Sequence, residues 1–584
     1  LTFDLNFFSF YKVYYMKFIT KKIYIIIFLV FLVQPKILAS SNKNFYTSEN
    51  ISNYFLGVIS AKDDENTKAY KYLKRVQSLK NSHSKFNVEF VRNLVLVDKF
   101  DKAFSFSKSV WNEDEFFFEV DLLLGLDYLT RGDYKNSEKH FKRLNTISNY
   151  NLIFEDFIGN ILIAWSKASQ GKKEESFSYL AKIPKAYSHL KKIQEGFLKC
   201  YFDSQDTQIF FQQIIKNQDY NFSRYNFFLT NYLLFGEKNK EALKIIKTAR
   251  KKYSSNLLLK QTENFLIKDK HDKIKSFFNC KNSNDSLAEL FYVIANLYSS
   301  DQSYQLSNFY LKISNYLNKN FLTNKALLAE NFYYKKKYKL SKNIYESLKS
   351  VGPIYSWYSS KSVAKILLKE KGKDYSIKYL ENEFNSISNP NFEHYYEMAN
   401  FYKDSAYHEK SIEYYSLALE KINYNHSLVP KILDRRGTSY ERSGNWKRAE
   451  KDLIESLQIQ PDQAHVLNYL AYSWIDQGKN LDKGLKMLMQ ANEIKKDDGY
   501  IIDSLGWAYY RKKNYIEAEF WLQKAVQLIP TDPIISDHYG DTLWMLNKGI
   551  QARYIWLSIL KLNPTEELRN KISKKLIFGT ESKL

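Results

Sequence analysis

The chain has 584 residues, of which 17% are aromatic and only 18 are glycine and 9 are proline. So little glycine and proline excludes a β-rich or loop-rich protein, and 44% hydrophobic residues can build an extended helical core. The formal net charge of +23 comes from lysines spread over the whole chain rather than from one cluster, so we expect no nucleic-acid partner.

The first predicted element is an export signal at residues 16–39. Three lysines are followed by an apolar run over 23–33, and Ile37 and Ala39 fit the −3 and −1 positions of a cleavage site before Ser40. Residues 1–15 precede Met16 and are interpreted as a start called too early. We therefore expect a periplasmic protein. An uncleaved signal that anchors the chain in the inner membrane is the alternative, and membrane contact is expected through this segment alone.

Two cysteines occur, Cys200 and Cys280, and neither belongs to a CxxC motif. Redox and zinc motifs are therefore missing from the sequence. The repeats described below place the two residues in different units, which favours two free thiols over a disulfide. So few cysteines are typical of a bacterial periplasm rather than of a disulfide-rich secreted setting. No cysteine follows the apolar run, so no lipid attachment site of the lipoprotein type is expected.

A divergent repeat runs through residues 50–390. The stretch GLDYLTRGDYKNSEKHF (125–141) shows its spacing, with Gly125 followed by Ser137 twelve residues later. Gly57 and Ala69 have the same spacing in what looks like a first unit. Serine often stands where alanine is expected, and both keep the contact between two helices narrow. About a dozen repeats cover nearly the whole mature chain.

A sharper form of the repeat covers residues 391–566. In the stretch DSLGWAYYRKKNYIEAEFWLQKAVQLIP (503–530), a frame that starts at Gly499 puts Gly506 at position 8, Ala518 at position 20 and Pro530 at position 32. The same frame fits from residues 430, 464 and 533. We expect Gly506 to face Ala518 between two antiparallel helices, and Pro530 to end the second helix.

This pattern resembles the tetratricopeptide repeat, whose period is 34 residues. The resemblance implies an all-α fold, a right-handed α-solenoid of antiparallel helix pairs. Each repeat is then expected to touch only its neighbours and to line a long concave surface with its first helix. Residues 567–584 are predicted to be a capping helix or a tail.

Positions 2, 5, 9 and 12 of each first helix are expected to point into the concave groove. In the last repeats these positions and one adjacent residue hold aromatic anchors and polar groups, a mixture that suits protein or peptide recognition. The predicted protein-binding residues are Asn468, Tyr472, Asp503, Trp507, Tyr510, Arg511, Asp537, Asp541 and Trp544. Exposed aromatic residues are common in such a composition, so packing between repeats is the competing interpretation for each of them.

No motif for catalysis or for a cofactor is present. The sequence has no HExxH, GxSxG, GxGxxG or phosphate-binding loop, and the repeats leave no segment of catalytic-domain size. We therefore expect neither enzymatic activity nor a metal or cofactor.

The run over 467–546 resembles the C-terminal region of large exported tetratricopeptide proteins of Gram-negative bacteria. Some of those proteins are adaptors that bring cell-wall hydrolases to carboxy-terminal processing proteases, and they are lipoproteins, unlike this chain. The resemblance implies a non-catalytic periplasmic scaffold or adaptor for protein partners. An envelope assembly factor that binds a glycan or a lipid-linked substrate on its aromatic residues is the alternative.

Overall fold

The structure is a computed structural model that describes residues 46–115, 117–147, 157–217 and 222–580. The predicted start extension at 1–15 and the signal segment at 16–39 lie outside these residues. Within the described ranges every regular element is a helix, which confirms the all-α class. The helices form two compact units, and the second unit begins at Lys371.

The first unit contains nineteen described α-helices with short 3₁₀ turns at Lys74–Asn81, Lys185–Tyr187 and Lys349–Val351. The helices are α1 Ser48–Lys62, α2 Asn66–Leu73, α3 Ser84–Leu96, α4 Phe100–Val110, α5 Phe118–Thr130, α6 Tyr134–Ile147, α7 Phe157–Ser169, α8 Lys173–Ala181, α9 Ser188–Tyr201, α10 Thr207–Lys216, α11 Tyr225–Phe235, α12 Asn239–Lys252, α13 Leu257–Ile267, α14 His271–Lys275, α15 Ser283–Ser300, α16 Tyr304–Leu317, α17 Leu322–Tyr334, α18 Tyr338–Leu348 and α19 Pro353–Lys371.

The described part of the second unit consists of one helix, five helix pairs of nearly constant length and a final helix. The helices are α20 Lys373–Asn385, α21 Phe392–Asp404, α22 His408–Lys421, α23 Val429–Arg442, α24 Trp446–Ile459, α25 Ala464–Asp476, α26 Leu481–Ile494, α27 Gly499–Arg511, α28 Tyr515–Leu528, α29 Pro533–Met545, α30 Gly549–Ile559 and α31 Glu566–Phe578, with a 3₁₀ turn at Leu560–Leu562.

The contact inside each pair explains the spacing of the small residues. A Cβ placed on Gly506 would lie 2.6 Å from Leu522, and one placed on Gly540 would lie 2.3 Å from the ring of Trp556. The atoms nearest to such a Cβ on Gly506 all belong to Leu522, a partner that the expected contact with Ala518 did not include. The glycine at position 8 faces the large residue at position 24, and only a missing side chain lets that residue fill the space between the helices.

Serine at position 20 forms a hydrogen bond that alanine cannot form. The hydroxyls of Ser137, Ser176 and Ser341 each donate to the backbone carbonyl of position 8 on the first helix, over 2.8 Å. All three serines are fully buried. Serine at this position therefore keeps the helices close and also joins them.

Most turns between the two helices of a pair need a backbone angle that L residues rarely adopt. Gly444, between α23 and α24, has φ +77°, and Lys513, between α27 and α28, has φ +61°. Side-chain caps start several of the helices. Asp532, for example, precedes α29, the first helix of a pair, and accepts hydrogen bonds from the backbone N–H groups of Ile534 and Ile535.

The first unit closes on itself, so the expectation that each repeat touches only its neighbours is wrong there. Helix α3 contacts α16, and α7 contacts α15, although more than 100 residues separate the partners. The rings of Phe100 and Tyr316 stack at 4.3 Å, and Lys312 pairs with Asp98 at 2.6 Å. These contacts join the start of the unit to its later helices.

Cys200 and Cys280 form a disulfide within the first unit, which corrects the expectation of two free thiols. Their Cα atoms are 5.9 Å apart, a separation that disulfides span without backbone movement. Cys200 lies in α9, and Cys280 lies in the turn before α15. The 80-residue separation had suggested distant units, but α9 contacts α15 directly.

Candidate protein-binding surface

The inner side of the second unit is formed by the first helix of each pair. Helix α21 contacts α23, α25 contacts α27, and α27 contacts α29, while each second helix packs against the first helix of the next pair. Close contact among the first helices places them on the concave side of the array. The predicted binding residues lie on α25, α27 and α29.

Asp503 is buried and paired, not open to a ligand as we had expected. Its carboxylate lies 3.0 Å from Nδ1 of His538 on the next first helix, and both side chains are 9% exposed. Burial lowers the pKa of His538, but the carboxylates of Asp503, Asp537 and Asp541 together outweigh burial and raise that pKa above its ordinary value. The pair therefore works as a charged link between two repeats.

Trp507 is held in a stack of three rings. Its indole lies 4.5 Å from the ring of Tyr510 and 4.1 Å from that of His538, and both are nearly parallel to it. Two rings this close to one face of an indole would collide with each other, so they cover opposite faces. Trp507 consequently offers a ligand only its edge.

Two buried polar atoms in this region lack an acceptor or donor within the described part of the chain. They are Nε1 of Trp507 and Oδ1 of Asn468. A buried polar group without a partner costs about 1–3 kcal/mol. Both residues were predicted to bind protein. Their buried atoms are places on the concave side where the fold leaves a hydrogen-bonding group without a partner.

Asp537 and Asp541 are also buried, contrary to the expectation that they point into an open groove. Nζ of Lys575 lies 2.5 Å from Asp537 and 2.6 Å from Asp541. Lys571 pairs with Asp537 from outside at 3.1 Å. Burial and the neighbouring Asp537 raise the pKa of Asp541 to about 6. The last helix, α31, thus covers this end of the concave side.

Trp544 lies under the end of the same helix. A Cβ on Gly579 would lie only 2.1 Å from its ring, and the guanidinium of Arg553 lies 4.8 Å from the ring centroid. The indole also packs against Trp556 at 5.7 Å. Trp544 therefore supports the final helix, which is the packing interpretation that competed with binding.

Tyr472 and Arg511 remain on the accessible part of the surface. The guanidinium of Arg511 donates to the backbone carbonyl of Asp476 over 2.9 Å, and its side chain is 31% exposed. Burial, with the carboxylates of Asp476 and Asp503, raises the pKa of Tyr472 to about 12. We name Tyr472, Asp476, Tyr510 and Arg511 the inner window.

Sequence reasoning missed His538, Lys575 and His465, of which the last lies 2.9 Å from Asp434. His538 follows Asp503 by 35 residues, about one repeat, and pairing neighbouring positions between repeats could have found it. Lys575 lies beyond the last repeat, where the frame carries no signal.

Comparison with known proteins agrees with this geometry. Residues 501–532 match the family model of the tetratricopeptide repeat. Residues 501–532 therefore carry a tetratricopeptide repeat. Over 110 residues it is 31% identical to the TPR repeat-containing protein PA4667 of Pseudomonas aeruginosa, a match that covers 19% of this chain and 18% of that protein.

Two solved structures match parts or most of the chain with low sequence identity. The Cut9–Hcn1 hetero-tetramer of APC/C is 13% identical, with a TM-score of 0.35, and the match covers 91% of this chain and 97% of that one. MamA from Desulfovibrio magneticus is 16% identical, with a TM-score of 0.27, and the match covers 31% of this chain and 99% of that one.

In the described part of this tetratricopeptide chain, no three histidine, cysteine or acidic side chains are grouped to hold a metal ion. None of the helices described is long and apolar enough to cross a bilayer.

Proposed function

We propose that this chain is an exported, non-catalytic adaptor that binds a protein segment at the inner window of its second unit. Tetratricopeptide arrays offer a concave surface built from rigid helices, which suits scaffolds and adaptors for proteins. The observation that carries the proposal is the location of the inner window. It keeps two tyrosines, one arginine and one carboxylate partly accessible, whereas Asp503, Asp537 and Asp541 are buried in ion pairs.

The chemistry of the inner window favours a polypeptide. Arg511 and Asp476 supply opposite charges that pair with each other at 3.8 Å, and their side chains, 31% and 59% exposed, remain within reach of a ligand. Tyr472 and Tyr510 supply amphipathic contact area at a low cost in side-chain entropy. An extended segment presents alternating amides and side chains that can use all four groups.

The glycan alternative is less well supported by the same geometry. Sugar rings stack on the open face of an aromatic side chain, and Trp507 is one of the two tryptophans among the predicted binding residues. Both of its faces are covered by Tyr510 and His538. Trp507 therefore packs between two repeats and has no open face for a sugar.

Two features support export. The lysine-rich start and the apolar run at 23–33 fit a signal peptide. The disulfide between Cys200 and Cys280 would persist in a periplasm and would be reduced in a cytosol. Thiol labelling of the chain in intact cells tests this: no free thiol is expected before reduction, and two reactive thiols would refute export.

The finer proposal is that the partner is a protease or its substrate. It rests on the resemblance of residues 467–546 to exported tetratricopeptide adaptors of processing proteases. Co-purification of a protease with the full chain, lost on changing the inner window, would support it. Retention of the protease by a chain with an altered window would place that contact elsewhere.

Site-specific photo-crosslinking tests the binding surface directly. A photoreactive phenylalanine at Tyr472 or Tyr510 should crosslink a partner in cells, and Arg511→Ala should reduce the yield about tenfold. The matched control carries the same group at Lys451, which is exposed on the outer side of α24. Equal crosslinking from Lys451, or none from either tyrosine, would refute the assignment. Circular dichroism of each variant shows that the fold is kept.

A further inference from the structure

The last repeat exposes an apolar face on its outer side. Ile550, Tyr554 and Leu557 of α30 are 88%, 73% and 51% exposed, and Ile577 and Phe578 at the end of α31 are 68% and 71% exposed. The three residues of α30 are spaced by four and three, so they share one face of the helix. We name these five residues the C-terminal apolar face. Single exposed apolar residues are ordinary, but a group of this kind marks an interaction site.

The α30 and α31 parts of this face belong together. The guanidinium of Arg553 donates to the backbone carbonyl of Leu576 over 3.0 Å, so the end of α31 lies beside α30. Gly549, the first residue of α30, and Gly579, just after α31, both approach the ring of Trp544. Ile577 and Phe578 therefore project near the start of α30.

The earlier repeats show that the outer positions do not need apolar residues. In the repeat frame, Ile550 and Tyr554 correspond to Ile516 and Phe520 of α28, which are also exposed. The corresponding residues of α24 and α26 are Lys447, Lys451, Asp482 and Lys486, all exposed. Burial within the array therefore cannot explain the change from charge to isoleucine, phenylalanine and tyrosine.

We propose that the C-terminal apolar face is the interface of a symmetric dimer of this chain. Together with Ile516 and Phe520, its side chains expose roughly 900 Å² at about 200 Å² per large side chain, against about 800 Å² per partner in a standard interface. A two-fold interface joins one patch to its own copy, and such dimers are the commonest oligomers.

The charges around the face allow contact with a second copy. Exposed residues on and beside the face carry both signs, with Arg553, Lys561, Arg569, Lys571 and Lys574 against Glu566 and Glu567. A patch of mixed sign can complement itself across a two-fold axis. The interface lies on the outer side of the array and leaves the inner window free.

Sedimentation velocity of the chain as purified from cells tests the dimer. We expect a reversible monomer–dimer equilibrium in the micromolar range for the natural chain. The variant Ile550→Lys/Tyr554→Lys should weaken dimerisation at least about tenfold, since it places four lysines across the two-fold axis. The matched control is Met489→Lys/Ile494→Lys, which changes two exposed apolar residues of α26 and should leave the dimer intact.

Three outcomes would overturn the proposal. The natural chain could be monomeric throughout the concentration range, or the Ile550→Lys/Tyr554→Lys variant could dimerise like the natural chain. A monomer that co-sediments with phosphatidylglycerol vesicles through these residues would assign the face to lipid instead. Because all the substituted residues are exposed, unchanged thermal unfolding of both variants shows that the comparison concerns association and not folding.

Discussion

Replacing Lys575 with methionine tests whether the final helix is held by charge. Its ammonium group lies within 2.6 Å of both Asp537 and Asp541, and the three side chains are only 2–9% exposed. Removing one partner of a buried ion pair costs about 3–5 kcal/mol, because the remaining charge stays buried. Lys571 still reaches Asp537 at 3.1 Å. We therefore expect Lys575→Met to lower the free energy of unfolding by about 3 kcal/mol, roughly a hundredfold change in the unfolding equilibrium constant.

The cost of Lys575→Met should depend on pH. Burial and the adjacent Asp537 raise the pKa of Asp541 to about 6, above the ordinary value of 3.8. A carboxyl with a raised pKa binds a proton on folding, so its favourable contribution is complete below about pH 4 and is lost as pH rises through 6. Without Lys575 this pKa rises further. The variant should be least destabilised near pH 5 and most destabilised at pH 8.

Urea unfolding followed by tryptophan fluorescence measures the effect, because six of the nine tryptophans lie in the second unit. The matched control is Lys574→Met, which removes the exposed neighbouring lysine and should cost little. Adding Asp541→Asn to Lys575→Met should recover part of the loss. If Lys575→Met costs less than about 1 kcal/mol at pH 8, or no more than Lys574→Met, the electrostatic account of the final helix is wrong.

Three further predictions concern stability. Ala518→Leu should overpack the fully buried helix contact and cost about 1–3 kcal/mol, with loss of hydrogen-exchange protection concentrated in α27 to α29; a uniform loss would contradict local coupling. His538→Gln should cost more at pH 5.5 than at pH 8.5 in denaturation experiments. Although burial lowers the pKa of His538, the carboxylates of Asp503, Asp537 and Asp541 together raise it above 6.5, and this stabilisation is present below the unfolded pKa and lost as pH rises through the folded pKa. An equal cost at both pH values would mean that the histidine is neutral. Cys200→Ser/Cys280→Ser should destabilise the first unit by about 4 kcal/mol, from the chain entropy of a loop of 80 residues, and leave the melting of the second unit unchanged.

Much of the fold could be predicted because the repeat acts locally. The spacing of Gly506, Ala518 and Pro530 predicts a helix pair, because each residue stands where two helices approach or where a helix ends. The exact partner was harder to predict. The atoms nearest to Gly506 belong to Leu522, because the large residue at position 24 needs the space that the glycine leaves. Spacing shows that a contact is narrow, but it does not show which side chain fills it.

The predicted binding residues could be located on one side of the array, but their accessibility could not. Asp503, Asp537 and Asp541 stand at positions that face the concave side, and all three are buried in ion pairs. Their partners come from the next repeat or from the final helix. The position of a residue within a repeat predicts which side of the array its side chain faces. The side chains that it contacts depend on how neighbouring repeats pack together.

By itself the sequence determined the helical class, the pairing of helices and the places where small residues are required, because all of these depend on neighbours within about 34 residues. Only the tertiary structure decided the closure of the first unit, the disulfide between Cys200 and Cys280 and the covering of Asp537 by Lys575. Each of these depends on the angles at which successive pairs stack, and small angles accumulate over many repeats. The repeat spacing in the sequence does not specify these stacking angles, so contacts between distant repeats are seen only in the folded structure.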